Sequence, residues 1–378
     1  MSIYLDNAAT TKPCSEAVKA VCDCMEENFG NPSSLHRAGL NAQIAVDNVR
    51  KIIAKSIAAD PSCIYFTSGA TESNNMAIIG SVGVYGKRKP RIVTTSIEHS
   101  SVEKAMEHLE QNGFEIVRIS PDRNGEISHE RIVNAVDENT CLVSIMMVNN
   151  ETGYILPVRR SFYGIKKLYP QCITHCDAVQ GFMKIPFKVS ELNADIISFS
   201  GHKIHAGKGI GGLYLKKGIR LQPHIFGGGQ EKGIRSGTEN VPMIASMGAA
   251  VKILSKNISE RYKKATDLKE KLCSKLSVID GIYINSHEDA SPYIVNISIP
   301  GIRSEIMLHF LEEKGIYVSS GSACSKGAKS GVLKEFGLND SFSDSAVRIS
   351  FSHETTVSEL SQFVKAVEDA KESLVKSR

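Results

Sequence analysis

No apolar run in this chain is long enough to cross a bilayer as a helix. The opening residues, Met1-Ser2-Ile3-Tyr4-Leu5-Asp6, lack the charged-then-apolar layout of a secretory signal. Neither a GxGxxG fingerprint nor a Walker pattern occurs, so nucleotide binding has little support. The nine cysteines, an odd number, are scattered and form no CxxC pair. A zinc site and a disulfide framework are therefore both unexpected. Charge of one sign is scarce too. A net +4 over 378 residues argues neither for nor against nucleic acid, and no basic stretch is interleaved with aromatics. No internal repeat or low-complexity tract is visible. These absences lead us to expect a soluble, cytoplasmic protein with reduced thiols, without metal, membrane anchor or direct nucleic-acid partner.

What is present is a 42% apolar composition, ample for a large core and suggestive of two domains. Strand and helix patterns alternate from about residue 60 to 220. Ile64-Tyr65-Phe66, Arg91 to Thr95, Phe114 to Ile119, Cys141 to Val148, Cys172 to Cys176 and Asp195 to Phe199 read as strands. Between two of them, Val102, Ala105, Met106 and Leu109 recur at i, i+3, i+4 and i+7, the apolar face of a helix. Ser100 and Glu103 are placed to form its capping box, and Gly113 to end it. Such alternation predicts βαβ units and a mainly parallel sheet flanked by helices. Near residue 255 the texture changes. A charge-rich helix from Ser259 to Lys275 precedes short strands at Tyr293 to Ile299 and Ala346 to Phe351. A last helix opens at a capping box, Thr356 to Glu359. This reads as a smaller α+β domain. The division expected is a large domain over 15–255, with a small domain made of 1–14 and 256–378.

Lys203, in Ser200-Gly201-His202-Lys203, directly follows the buried-strand pattern ending at Phe199. In isolation it would pass for a solvated surface lysine. At the mouth of a buried strand, however, a lysine amine can lose its proton and act as a nucleophile, as a Schiff base with pyridoxal phosphate (PLP) requires. Other segments supply what that cofactor needs. Ser68-Gly69-Ala70-Thr71-Glu72 joins a strand to a helix predicted to begin near Glu72, whose N-terminus can hold a phosphate. His99 can stack on a flat ring, although alone it reads as a polar loop residue. Asp177 ends a strand, where a carboxylate can pair with a protonated pyridine nitrogen or merely cap a helix. Gln180 lies within reach of the ring's 3′ oxygen. All of these sit at C-terminal ends of predicted parallel strands, where open α/β sheets bind ligands.

The ordered set of motifs resembles the NifS/IscS cysteine desulfurases, class V aminotransferase-family enzymes of PLP fold type I. The matching text runs from Tyr4-Leu5-Asp6-Asn7-Ala8-Ala9-Thr10-Thr11 and Gly30-Asn31-Pro32-Ser33-Ser34 through Thr67-Ser68-Gly69-Ala70-Thr71-Glu72-Ser73-Asn74-Asn75 and Glu98-His99-Ser100-Ser101. It continues with Asn149-Asn150-Glu151-Thr152-Gly153, the Asp177 and Lys203 segments, Arg235-Ser236-Gly237-Thr238-Glu239-Asn240 and Ser319-Ser320-Gly321-Ser322-Ala323-Cys324. The resemblance covers nearly the whole chain.

It implies a role for each matching residue. Lys203 would bind PLP, His99 would stack on its ring and handle protons, and Asp177 and Gln180 would hold the ring nitrogen and the 3′ oxygen. Ala70, Thr71, Ser200 and His202 would hold the phosphate, and Thr238 would reach the phosphate of a neighbouring subunit in an obligate homodimer. Asn150 would meet substrate and cofactor, and Arg348 would clamp the substrate carboxylate. Arg348 alternates with Val347 and Ile349 and so projects to the other side of its strand. Cys324 stands among small residues in a segment expected to be exposed and mobile. A free thiol has a pKa of about 8.5, and Lys326 and Lys329 favour its thiolate modestly.

The implied activity converts L-cysteine to L-alanine. Sulfur passes to Cys324 as a persulfide and then to an acceptor protein, an iron–sulfur scaffold or a tRNA-thiolation enzyme. A selenocysteine lyase and a small-amino-acid aminotransferase are the alternatives. Two departures from the family stand out: Gly207 occupies a position where proline is frequent, a change expected to loosen the loop behind Lys203, and the text after Cys324 is atypical and slightly short.

Overall fold

The computed structural model describes residues 2–320 and 331–375. Among them twelve strands run in chain order: β1 (Ile3–Tyr4), β2 (Ile64–Thr67), β3 (Arg91–Thr95), β4 (Glu115–Ile119), β5 (Thr140–Met146), β6 (Ile173–Asp177), β7 (Ile196–Ser200), β8 (Gly211–Leu215), β9 (Tyr283–Ile284), β10 (Ile294–Ser298), β11 (Ile316–Tyr317) and β12 (Ala346–Ser350). The main sheet has seven strands in the order β2-β8-β7-β6-β5-β3-β4. β4, β3, β5, β6 and β7 are mutually parallel, as expected. β8 runs antiparallel to both of its neighbours. Its reversal follows from chain length: the link from Ser200 to Gly211 is too short for the helical crossover that a parallel neighbour needs.

Both faces of this sheet are covered, so its strands are near-continuous apolar runs. On one face Val143, Ile145, Phe162, Phe182 and Phe199 are buried together, and the rings of Phe182 and Phe199 stack 4.4 Å apart. On the other face Ile78, Ile92, Met106, Leu109 and Leu142 pack together. Cys141 and Cys172 belong to these cores, and burial pushes both thiols up to about 12. They are inert space-fillers, as their apolar neighbours suggest. A separate core unites Leu272, Val295, Ile297, Val347, Ile349, Phe363 and Val367 around the antiparallel sheet β12-β10-β9. β1 pairs with β11, which ties the first residues to this second unit.

Three local expectations need correction. The helix after β2 spans Ala70–Tyr85, starting two residues before Glu72. Gly69 is its N-cap residue, in an extended backbone conformation. The helix Ser100–Gln111 buries Val102, Ala105, Met106 and Leu109 as patterned, but its cap is His99. The His99 Nδ1 accepts from the Ser101 N–H at 3.1 Å, while Glu103 turns away to Arg118 at 2.9 Å. A guanidinium outcompetes the return bond that a Ser100–Glu103 box would need. The third concerns Gly207, whose N–H donates to Ser246 Oγ at 2.9 Å. A proline lacks that donor, so the glycine ties this loop down where loosening was expected. By contrast, Thr356 and Glu359 do cap the last helix reciprocally: the Thr356 N–H meets Glu359 Oε2 at 2.7 Å, and the Glu359 N–H meets Thr356 Oγ1 at 3.3 Å.

Candidate active site

The carboxyl ends of the parallel strands open into a cavity of about 530 Å³. Close approach of backbones shapes its mouth. A Cβ on Gly211 would lie 2.6 Å from Gly69, so glycine there lets β8 press against the turn entering the helix Ala70–Tyr85. Ala70 and Thr71 line the cavity at that helix's N-terminus. The unpaired N–H groups and dipole of a helix start favour an anion. Across from them, at the end of β7, Ser200 presents a buried hydroxyl with no hydrogen-bond partner among the described residues. A buried donor left unsatisfied is costly unless a ligand completes it.

One short turn beyond Ser200 stands Lys203, half-buried. Its Nζ donates to the carbonyls of Ala8 (2.6 Å) and Ala9 (2.7 Å). The N-terminal segment is laced to the same turn, since the Thr11 N–H donates to the His202 carbonyl at 2.8 Å. His202 also lines the cavity; burial, then the nearby Lys203 and Lys208, bring it down to about 4. It is therefore a neutral hydrogen-bonding group at neutral pH.

Asp177 closes β6 with a buried carboxylate. Asn74 Nδ2 donates to one oxygen at 2.7 Å and the Val179 N–H to the other at 3.0 Å. It thus caps the following turn and faces the cavity at once. His99 lies beside it. Because Nδ1 accepts from Ser101, the neutral ring carries its proton on Nε2. Burial lowers its pKa, Asp177 partly opposes this, and Lys203 adds to it. Gln180 lines the floor, donating through Nε2 to the Ala8 carbonyl at 2.9 Å.

Arg348 reaches the cavity from β12, across the boundary between the two cores. Its guanidinium is only 1% exposed. Nη2 donates to Asp6 Oδ1 at 2.8 Å and Nη1 to the carbonyl of Asn150 at 2.9 Å. Nε is buried without a partner among the described residues. Asn150 lines the same wall.

Of the residues singled out in the sequence, Ala70, Thr71, His99, Asn150, Asp177, Gln180, Ser200, His202, Lys203 and Arg348 all meet in this one cavity. Thr238 does not. It lines an adjacent cavity of about 230 Å³ with Ser68, Gly209 and Arg235. Cys324 lies outside the described residues. The structure adds residues that sequence reasoning missed: Asn74, which orients Asp177; Asp6, which balances Arg348; and Lys184, which holds Gln180 at 2.9 Å. Asn74 and Asp6 stand inside the matching motifs, so proximity to those motifs was the available signal.

The chain was compared with known proteins. The Aminotransferase class-V family model matches residues 3–363. A NifS/IcsS protein homolog of Lactobacillus delbrueckii subsp. bulgaricus is 40% identical over 97% of this chain and 96% of its own length. The cysteine desulfurase IscS of Methanosarcina thermophila is 36% identical over 99% and 93%. Among solved structures, a NifS-like protein superposes with a TM-score of 0.92 at 38% identity, covering 98% of this chain and 99% of that one. SspA in complex with cysteine superposes at 0.82 with 32% identity, covering 94% and 100%. A cavity at the sheet's carboxyl edge, with a lysine, an aspartate and an anion cradle in family order, and these full-length matches lead to one assignment: the chain belongs to the class-V aminotransferase family, among its NifS/IscS cysteine desulfurases.

Proposed function

We propose that the protein is a PLP-dependent cysteine desulfurase that takes sulfur from L-cysteine and leaves L-alanine. One observation carries the reading. Lys203, Asp177, His99, the Ser200 hydroxyl and the Arg348 guanidinium, drawn from distant segments, line a single cavity.

The donor set fits the cofactor, and members of this family are in general PLP enzymes. The helix start at Ala70 and Thr71, with Ser200 and His202, suits a phosphate. Asp177 suits a protonated ring nitrogen, and Lys203 suits covalent attachment. When bound, PLP supplies an electron sink conjugated to the substrate's α-carbon. The chain's own groups do the rest. Asp177, steadied by Asn74, would hold a proton at the ring nitrogen, and His99 would meet the ring, its neutral Nε2–H available for proton transfer. Arg348 binds the substrate carboxylate, with Asn150 alongside. The Lys203 amine would take the α-proton.

Cys324 then attacks the substrate sulfur. The substrate's carbon–sulfur bond breaks as a sulfur–sulfur bond forms, leaving a persulfide on Cys324. The departing electron pair stays on carbon and is protonated to give alanine. The persulfide passes to an acceptor protein, either an iron–sulfur scaffold or a tRNA-thiolation enzyme. SspA has been solved in complex with cysteine, which supports that substrate.

The same proposal includes a homodimer in which Thr238, lining its own cavity, completes the partner's phosphate site. It also includes a small domain of 1–14 and 256–378 around the second core, and a cytoplasmic location. No helix among the described residues is long and apolar enough to cross a membrane.

Alanine formed from L-cysteine with a reductant present, in wild type and Cys324→Ala, tests the function. Alanine from the wild type and little from the variant is expected. Equal yields would move the selenocysteine lyase reading ahead.

A further inference from the structure

Lys184 follows Gln180 by four residues and has only 9% of its surface exposed. Its Nζ makes one hydrogen bond among the described residues, to Gln180 Oε1 at 2.9 Å. Gln180 Nε2 donates to the Ala8 carbonyl at 2.9 Å, and the same carbonyl accepts from Lys203 Nζ at 2.6 Å. The two lysines are thus joined through one carboxamide and one carbonyl.

The two ends of a glutamine amide are normally close to interchangeable. Here they are not, because an ammonium offers only donors and a carbonyl only lone pairs. Lys184 selects the amide oxygen and Ala8 selects the nitrogen. A flipped amide would set donor against donor and acceptor against acceptor. The second Nε2 hydrogen belongs to a side chain that lines the cavity. A methionine would fill the Lys184 site without the cost of burying a cation. A lysine retained there, held by one hydrogen bond, calls for a role.

We propose that Lys184 is a positioning residue, locking Gln180 with its N–H toward the cavity so that the floor beside Lys203 favours an anionic ligand oxygen over a neutral hydroxyl. The inference rests on the PLP reading, in which that oxygen is the ring's 3′ oxygen. Burial, then Lys203 and Arg348, bring Lys184 down to about 7, so the donor-only lock is complete below that pH and weakens above it. His202 and His205 also feel Lys184 and are both near 4, so they stay neutral. Arg261 and His353 line the small cavity behind it.

The test is a pH titration of the visible absorbance of the PLP-loaded enzyme in wild type, Lys184→Met, Gln180→Ala and the double variant. Losing the locked donor leaves the oxygen less well held and favours a proton on the neighbouring linkage to Lys203. The midpoint should therefore rise by about one unit or more in Lys184→Met. If the effect runs through Gln180, more than half of that shift should vanish in the Gln180→Ala background. The melting temperature of cofactor-free Lys184→Met should equal or exceed the wild-type value, because a buried cation has been removed. An unmoved midpoint, a shift at least half retained without Gln180, or a lower melting temperature would each overturn the role. A wild-type protein without visible absorbance would overturn the cofactor reading itself, which separates the two failures.

Discussion

Replacing Arg348 with lysine should raise KM for L-cysteine about tenfold to hundredfold and change kcat less. The guanidinium is held at both ends, by Asp6 at 2.8 Å and the Asn150 carbonyl at 2.9 Å, so its orientation is set before substrate arrives. Its Nε is buried and, among the described residues, unpaired. Such a donor gains when a carboxylate accepts from it, and a hydrogen bond to a charged partner contributes about 1.5–3 kcal/mol. At about 1.4 kcal/mol per decade, that is roughly a factor of ten to a hundred. Lysine keeps the charge but has one nitrogen, which cannot serve Asp6, Asn150 and a carboxylate in the same geometry. The assay is steady-state alanine formation by wild type and Arg348→Lys, with circular dichroism as the folding check. Cysteamine, which has the thiol and amine of cysteine but no carboxylate, serves as a competing ligand. Its affinity should be little changed by the substitution. An unchanged KM for cysteine, or equal losses for cysteine and cysteamine, would refute the carboxylate role.

Two further substitutions probe the other walls. Lys203→Ala should lose its covalently held chromophore on dialysis and at least about a hundredfold in rate, as removal of a proton-transfer group implies. A variant that keeps a dialysis-resistant chromophore would contradict the assignment. Glu98 is fully buried, and burial pushes its carboxyl from 4.5 up to about 8 despite hydrogen bonds from Thr95 and the Met146 N–H. A raised folded-state pKa means that the native protein keeps a proton the unfolded chain releases. The resulting stability is full below 4.5 and is lost as pH climbs through about 8. Glu98→Gln should remove that dependence, a slope of at most about 1.4 kcal/mol per pH unit. Urea melts of both proteins across that window would show it, and a pH-independent difference between them would count against a protonated Glu98.

What the sequence discloses and what it hides divide along a physical line. Period and cap chemistry are local, so the five parallel strands, the apolar face of Ser100–Gln111 and the Thr356–Glu359 cap can be read from neighbours in the chain, whereas β8 and the order of the strands in the sheet cannot. Residues at strand ends were equally legible: Asp177 and Lys203 stand where a parallel sheet must open. Competition was not legible. His99 stands as cap in place of Ser100 while Glu103 pairs with Arg118; the strand holding Arg118 is legible, but no local pattern reveals that its side chain meets this helix. Supporting partners were hidden for the same reason. Asn74 serves a carboxylate 103 positions away, and Asp6 an arginine 342 positions away.

Lys184 is the instructive case, since Gln180 is only four residues off and the pairing is local. In the sequence alone nothing marks this lysine as buried. Its meaning comes from burial, and from Ala8, which fixes the other end of the same amide. The residues that perform chemistry can be recognised by type and strand position. The residues that aim them are recognisable only once the fold has shown which polar group lacks an alternative partner.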